Sequence, residues 1–357
     1  MTDSTGSPSG GGGMGAEELF DLTIIGGGPV GLFAAFYAGL RQMKTKIIDS
    51  LEELGGQLTT LYPEKFIFDV AGFPKVLARD LAHQLIQQAM QANPAVALGE
   101  TVRHLEPLGD ADNPRYRIMS DKGSHLTRTL MICAGAGAFS PKKLRIPEAP
   151  GLENRGLFYA CRSKAAFAGK RVLIVGGGDS AVDWSLNLRD TAESITLIHR
   201  RNQFRAHEES VRQLQATDVK ILTFFEIKSL VGGGGGEQGL TAAVIENSQT
   251  KEVRTLEVDA VLVQIGFDTS LGPIKEWPLK VERGQIQVNS HMETALPGVF
   301  AAGDVAAYEG KLKLIATGFG EAAMAVNFAK VRVDPKAKFF PGHSSEMTAQ
   351  HESVVTV

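Results

Sequence analysis

Phe20-Asp21-Leu22-Thr23-Ile24-Ile25-Gly26-Gly27-Gly28-Pro29-Val30-Gly31 is the stretch on which the reading of this chain turns. A short run rich in apolar and β-branched residues predicts a buried parallel strand. The glycines follow at once and fit G-x-G-x-x-G, and Leu32 to Leu40 continues as an apolar helix. Each glycine has a job: Gly26 makes a tight turn, Gly28 lets backbone approach a pyrophosphate, and Gly31 lets helix and strand pack closely. The helix N-terminus then offers unsatisfied N–H groups to an anion. Thr45–Ile48 predicts a second strand, which Asp49 ends.

The same grammar returns later. Arg171–Val175 predicts a strand, Gly176-Gly177-Gly178-Asp179-Ser180-Ala181 fits the G-x-G-x-x-A variant, Val182 begins a helix, and Ser194–Ile198 is a strand ending at His199. Asp49 stands 23 residues after Gly26, and His199 stands 23 residues after Gly176. That is the offset at which a dinucleotide unit meets the adenosine ribose. One glycine motif alone reads equally well as a Gly-rich turn. Two, each between strand and helix and equally spaced from the ribose position, predict an α/β chain with two Rossmann-like dinucleotide-binding domains.

The two units differ where the ribose would lie. Asp49 can accept hydrogen bonds from ribose hydroxyls and would repel a 2′-phosphate, which suits FAD or NAD(H). The second strand instead runs into His199-Arg200-Arg201, with Arg205 close by. Guanidinium groups bind phosphate bidentately, so Gly176, Gly178, Asp179, Ser180, His199, Arg200, Arg201 and Arg205 are the candidate NADPH site. Elsewhere such a cluster would read as a solvated turn. Leu296–Asp304 is a strand-like run ending in Gly303-Asp304, and Asp304 can reach a flavin ribityl or diphosphate group. A helix predicted from Thr317 through Lys330 would put its N-terminus under the flavin ring. The NADPH domain is therefore inserted into the FAD domain. The expected division is a disordered tail over 1–15, an FAD-binding domain over 16–138 and 270–357, and an NADPH-binding domain over 139–269. Crossings are expected near Ile132–Phe139 and Val263–Ser270. Gly232–Gly236 reads as a flexible hairpin tip.

Composition narrows the class. The 357 residues are 43% hydrophobic with a net charge of −3, which gives no electrostatic footprint for nucleic acid or an anionic membrane. There are two cysteines, Cys133 and Cys161, far apart: no C-x-x-C, no metal-type spacing, and a reducing, cytoplasmic compartment. No apolar run reaches the roughly 18 residues of a membrane span.

From about Phe20 onward the chain resembles the thioredoxin-reductase-like flavoproteins. The matching residues are both glycine motifs, Gly55-Gly56-Gln57-Leu58, His199-Arg200-Arg201 and Gly303-Asp304. It departs from them in lacking the C-x-x-C redox pair. A narrower resemblance, to ferredoxin–NADP⁺ reductases of that type, rests on four segments: Gly56–Lys65, Asp69–Pro74, Gly178–Trp184 and Lys311–Ala322. The resemblance implies that Val30, Asp49, Gln57, Tyr62, Val102, Phe139 and Asp304 contact FAD, alongside Gly26, Gly28 and Gly31. Val30 would contribute backbone polar groups, so its side chain should matter little. Tyr62 would stack on one face of the flavin. The extension Pro341–Ser345 would cross between the subunits of a homodimer, with His343 covering the other face and Ser345 nearby. It further implies hydride transfer from NADPH to flavin N5, then single-electron transfer to ferredoxin or flavodoxin. Those partners are acidic, so Lys142, Lys143 and Arg145, or Lys311 and Lys313, are candidate docking cations. The rivals are an NADPH-dependent disulfide reductase working through Cys133 and Cys161, and a non-enzymatic redox sensor.

Overall fold

The computed structural model describes residues 17–110, 112–232 and 239–342. The tail over 1–15, residues 233–236 of the glycine tip, His343 and Ser345 lie outside the described residues.

The opening stretch folds as β1 (Leu19–Ile25) and α1 (Pro29–Leu40). Pro29 starts the helix, where its fixed φ suits the first turn and its missing N–H costs nothing, and Gly28 caps it in extended backbone. Then follow β2 (Thr45–Ile48), α2 (Gln57–Thr60), α3 (Ala78–Met90), β3 (Ala95–Ala97), β4 (Val102–Pro107), β5 (Tyr116–Ser120) and β6 (Ser124–Ile132). Strands β3, β2, β1 and β6 pair in parallel in that order. The nine-residue β6 is shared along its other edge. Antiparallel β5 takes its start and β15 (Val299–Ala301), returning from far along the chain, runs parallel to its end. That return completes a seven-stranded sheet. On one face α1, α3 and α6 (Ile315–Val333) bury a core around Leu22, Ile24, Leu32, Ile47 and Phe300. On the other lie Ile118, Leu130, Ile132 and Trp277.

Between those parts sits a second sheet. β7 (Leu157–Phe158), β8 (Arg171–Gly176), β9 (Ser194–His199), β10 (Lys220–Thr223) and β14 (Ala260–Gln264) pair in parallel in the order β7-β14-β8-β9-β10. Both faces are covered, so β8 and β14 are near-continuous apolar runs. A three-stranded antiparallel sheet, β11 (Phe225–Gly232), β12 (Leu240–Asn247) and β13 (Val253–Glu257), packs beside it. Helices α4 (Asp179–Asn187) and α5 (Glu208–Gln215) complete the unit. Where the chain enters and leaves it, Ala138–Pro141 and Phe267–Ser270 pair antiparallel, with Phe139 opposite Thr269.

One expected boundary moves. The last helix begins at Ile315 and not at Thr317, so Thr317-Gly318-Phe319-Gly320 lies inside it. Glycine is a poor helix former, but a Cβ at Gly318 would stand 2.4 Å from a Val30 side-chain carbon. Close packing on α1 decides the residue there, against local propensity.

Candidate functional site

The carboxyl ends of β1, β2, β6 and β15 form one crest, the edge at which open parallel sheets bind ligands. Backbone bonds knit it: Gly26 N–H donates to Ile48 O at 2.9 Å, Cys133 N–H to Ile25 O at 2.7 Å and Ala302 N–H to Ile132 O at 3.1 Å. Gly26 (φ +107°) has no room for a side chain, since a Cβ would stand 2.4 Å from Cys133 O. A Cβ at Gly31 would sit 1.9 Å from Gly26 O, so Gly31 serves helix–strand packing.

Above this crest is a cavity of about 360 Å³. Of the expected FAD residues, Gly26, Gly28, Val30, Asp49, Gln57, Tyr62, Val102 and Asp304 line it; Gly31 lies beneath. The Phe139 backbone is at the crossing. Asp49 is buried and oriented: its Oδ2 accepts Gly27 N–H at 2.5 Å and its Oδ1 accepts Leu51 N–H at 2.8 Å. Burial raises its carboxyl above the ordinary range, against the pull of the Leu51, Gly27 and Ser50 backbone bonds. Burial, with Asp304 and Asp69 nearby, pushes the Tyr62 phenol up to about 12, which keeps it neutral. The donor set fits a flavin adenine dinucleotide: a glycine turn and an open helix N-terminus for pyrophosphate, a fixed carboxylate for ribose, and an aromatic with apolar walls for the ring.

Val30 corrects an expectation. Its side chain wedges between two glycines, 3.2 Å from where a Cβ of Gly303 would be and closer still to that of Gly318. Its size therefore sets how α1, α6 and the Gly303 turn meet.

Sequence reasoning missed a second wall of the cavity: Glu100 and Thr101, then Cys133-Ala134-Gly135 and Gly137, then Leu271–Ile274, Leu314 and Ile315. The signal was available at the crossing. Cys133–Gly137 reads as a small-residue connector, and connector and ligand wall both demand small side chains. Gly137 (φ +83°) packs so tightly that a Cβ would stand 2.2 Å from Ser270 O.

In the second unit the glycine loop carries a different partner. The His199 ring lies over Gly177, where a Cβ would meet it at 2.3 Å, and stacks on Phe204 with centroids 5.3 Å apart. Burial lowers its pKa, helped by the charges of Arg200, Arg201 and Arg205. The imidazole is thus neutral and packed inward. Arg200, Arg201 and Arg205 are exposed, and among the described residues none makes an ion pair or side-chain hydrogen bond. The loop that bears them is pinned: Arg205 N–H donates to Gly177 O at 2.7 Å and His207 N–H to Asp179 Oδ1 at 2.9 Å. Gly178 and Ser180 flank the start of α4.

Tyr62 also packs against the second unit's core, which holds Cys161 and Phe167. The segment after it is fastened there: Glu64 Oε2 accepts Lys164 N–H at 2.7 Å, and Lys65 pairs with Asp183. The two cysteines sit in different cores, and both thiols are buried. Burial pushes Cys161 up to about 12 and Cys133 higher still. Neither is prepared as an attacking thiolate.

Two candidate docking cations are otherwise engaged. Lys311 is 6% exposed and paired with Glu321, so it is no surface charge. Lys143 is exposed but holds Glu153 at 2.7 Å. Arg145 and Lys313 are exposed. Among the described residues no helix is long and apolar enough to cross a membrane.

Residues 20–327 match the pyridine nucleotide-disulphide oxidoreductase family. The chain is 52% identical over 331 residues to "Ferredoxin--NADP reductase 2" of Shouchella clausii, covering 93% of this chain and 98% of the relative. It is 49% identical over 339 residues to the ferredoxin–NADP reductase of Thermus thermophilus, covering 94% and 99%. Among solved structures, the thioredoxin reductase of Lactococcus lactis superposes with a TM-score of 0.74 at 26% identity, over 88% of this chain and 99% of that one. A chain matched from β1 through most of α6, and about half identical to these reductases over nearly their whole length, belongs to the pyridine nucleotide-disulphide oxidoreductase family.

Proposed function

We propose that this chain is a ferredoxin–NADP⁺ reductase, a flavoprotein that passes electrons between NADP(H) and ferredoxin or flavodoxin. The observation that carries it is the pair of dinucleotide units on one chain with opposite charge at the ribose position. Its near-full-length likeness to ferredoxin–NADP reductases supports the choice of reaction. Bound FAD would supply the redox chemistry, taking a hydride from the nicotinamide and releasing electrons singly.

The residues position and shield. The N–H groups at the start of α1 and the Gly26 turn hold the pyrophosphate. Asp49, fixed by Gly27 and Leu51, accepts the ribose hydroxyls. Tyr62 is a neutral platform for the ring and titrates far too high to act as a base. Leu271 and Ile274, both buried, give the site an apolar wall. Gly176, Gly178, Asp179 and Ser180 receive the NADPH pyrophosphate at α4, with the three arginines on the 2′-phosphate. The units divide at 138/139 and 269/270. The protein acts as a cytoplasmic homodimer in which the partner's tail brings His343 and Ser345 over the flavin. The root of that tail is anchored: Arg41 donates to Lys338 O at 2.6 Å and Phe339 O at 2.8 Å. Arg145 and Lys313 are the open cations for an acidic partner. NADPH-driven reduction of cytochrome c should rise severalfold or more when ferredoxin is added. A rate indifferent to ferredoxin would argue for another acceptor.

A further inference from the structure

Glu321 has no place in the site as described so far, yet its side chain is 4% exposed and fully engaged. Its Oε2 accepts Gly303 N–H at 2.8 Å. Its Oε1 accepts the Tyr308 hydroxyl at 2.6 Å and the ammonium of Lys311. The Lys311 side chain is itself 6% exposed. Gly303 is buried, just beyond the end of β15, and has left the sheet ladder, so its N–H needs a partner from elsewhere. A carboxylate 18 residues away supplies it.

That bond fixes the turn on which Asp304 stands. Gly303 (φ +81°) accepts Ala306 N–H at 3.0 Å, and Gln285 donates to Asp304 O at 3.0 Å. The backbone of Asp304 is held on both sides, and Asp304 lines the cavity. Glu321 lies one turn beyond Gly318 on α6, whose first residues, Leu314 and Ile315, line the same cavity. One buried carboxylate therefore ties the Gly303-Asp304 turn to the helix that walls the ring.

We propose that Glu321, neutralised by Lys311 and steadied by Tyr308, is a positioning residue for the flavin: it sets the distance between Asp304 and the start of α6 by holding Gly303 N–H. This rests on the reading of the first unit as the FAD site. An unpaired buried charge is far more damaging than a missing pair, so the ion pair and the Gly303 clip can be separated. Glu321→Gln/Lys311→Met removes both charges and leaves an amide oxygen for Gly303. Glu321→Leu/Lys311→Met removes the charges and the acceptor together.

The test is reconstitution of purified apoprotein with FAD, reading the Kd, the visible flavin spectrum and the midpoint potential, with thermal unfolding of the apoprotein alongside. Glu321→Gln/Lys311→Met should bind FAD within a few-fold of wild type and keep its spectrum. Glu321→Leu/Lys311→Met should bind at least about tenfold more weakly, with a shifted spectrum and potential in the fraction that binds. Glu321→Asp is the companion should a double variant fail to fold. It keeps the charge pair and withdraws the oxygen from Gly303, so FAD should weaken about tenfold with a shifted spectrum and potential, while the unsatisfied Gly303 N–H lowers apoprotein stability only modestly. Equal affinity, spectrum and potential in the two double variants, or wild-type values in Glu321→Asp, overturn the proposal while wild type binds FAD. Wild-type apoprotein that takes up no FAD overturns the reading beneath it and this proposal together.

Discussion

Replacing Arg200 and Arg201 by Ala isolates the nucleotide preference. Both side chains are exposed, and neither is tied to another described residue by an ion pair or side-chain bond. Their loss should therefore remove a contact without loosening the fold. A hydrogen bond to a charged group contributes about 1.5–3 kcal/mol, and exposure takes the lower end through solvent screening. Two contacts give about 3 kcal/mol, or on the order of 100-fold, since each 1.4 kcal/mol is about tenfold. The KM for NADPH should rise by about that factor, with NADH nearly unchanged. Flavin content should not move, because Asp49 and the cavity lie on the other sheet. Added salt should weaken NADPH more than NADH in the wild type, and the difference should shrink in the variant, where only Arg205 remains. His199 sharpens the case. Its pKa is lowered, so it gains charge only below the ordinary histidine range, and the preference should hold steady from neutral pH upward. Steady-state kinetics with both nucleotides at two ionic strengths is the assay. A double variant that still prefers NADPH as wild type does would refute the phosphate reading.

Three further outcomes are expected. Protonated Asp49 has less capacity to accept from ribose hydroxyls. Because burial raises its pKa, FAD affinity should fall as pH drops, starting above the usual range near about 3.9, and Asp49→Asn should abolish that slope; an affinity flat from neutral pH to 4 would count against the role. Cys133→Ser/Cys161→Ser should keep ferredoxin-linked turnover per flavin within a few-fold while costing some stability in two cores; a hundredfold loss in folded, flavin-loaded protein would restore a disulfide mechanism. Ending the chain after Phe340 leaves Arg41 its carbonyl partners, and it should speed oxygen consumption by the reduced enzyme; unchanged oxidase rate, spectrum and acceptor turnover would sink the covering-tail idea.

The parts of the fold legible in the sequence were those written twice. β1-Gly26 loop-α1-β2 and β8-Gly176 loop-α4-β9 each combine a local strand pattern, glycines whose space is visibly restricted and a fixed offset to Asp49 or His199. What stayed hidden depends on contacts across long separations. The start of α6 is hard to read because Thr317 and Gly318 look like a helix entrance, and the Val30 side chain and Gly303 backbone beneath explain a glycine there. Lys311 looked like a docking charge because lysines are mostly on surfaces; its partner Glu321 is ten residues on, across a turn and the start of α6. The wall from Leu271 to Ile274 carries no motif, since an apolar wall asks for volume and not for a particular residue.

The two units use one backbone device for two purposes. In each, the residue ending the second strand leans across the glycine loop. A Cβ at Gly27 would meet Asp49 Oδ2 at 3.2 Å, and one at Gly177 would meet the His199 ring at 2.3 Å. In the first unit the carboxylate accepts Gly27 N–H, and Asp49 lines a cavity that Gly303, Asp304, Leu314 and Ile315 also line. In the second the imidazole turns inward onto Phe204, and charge is handed to exposed arginines. A buried, walled site with a desolvated acceptor suits a nucleotide that stays; an exposed, screened cationic rim suits one that arrives and leaves with each turnover. The difference in burial, more than the glycine motifs the units share, separates resident cofactor from exchanging substrate.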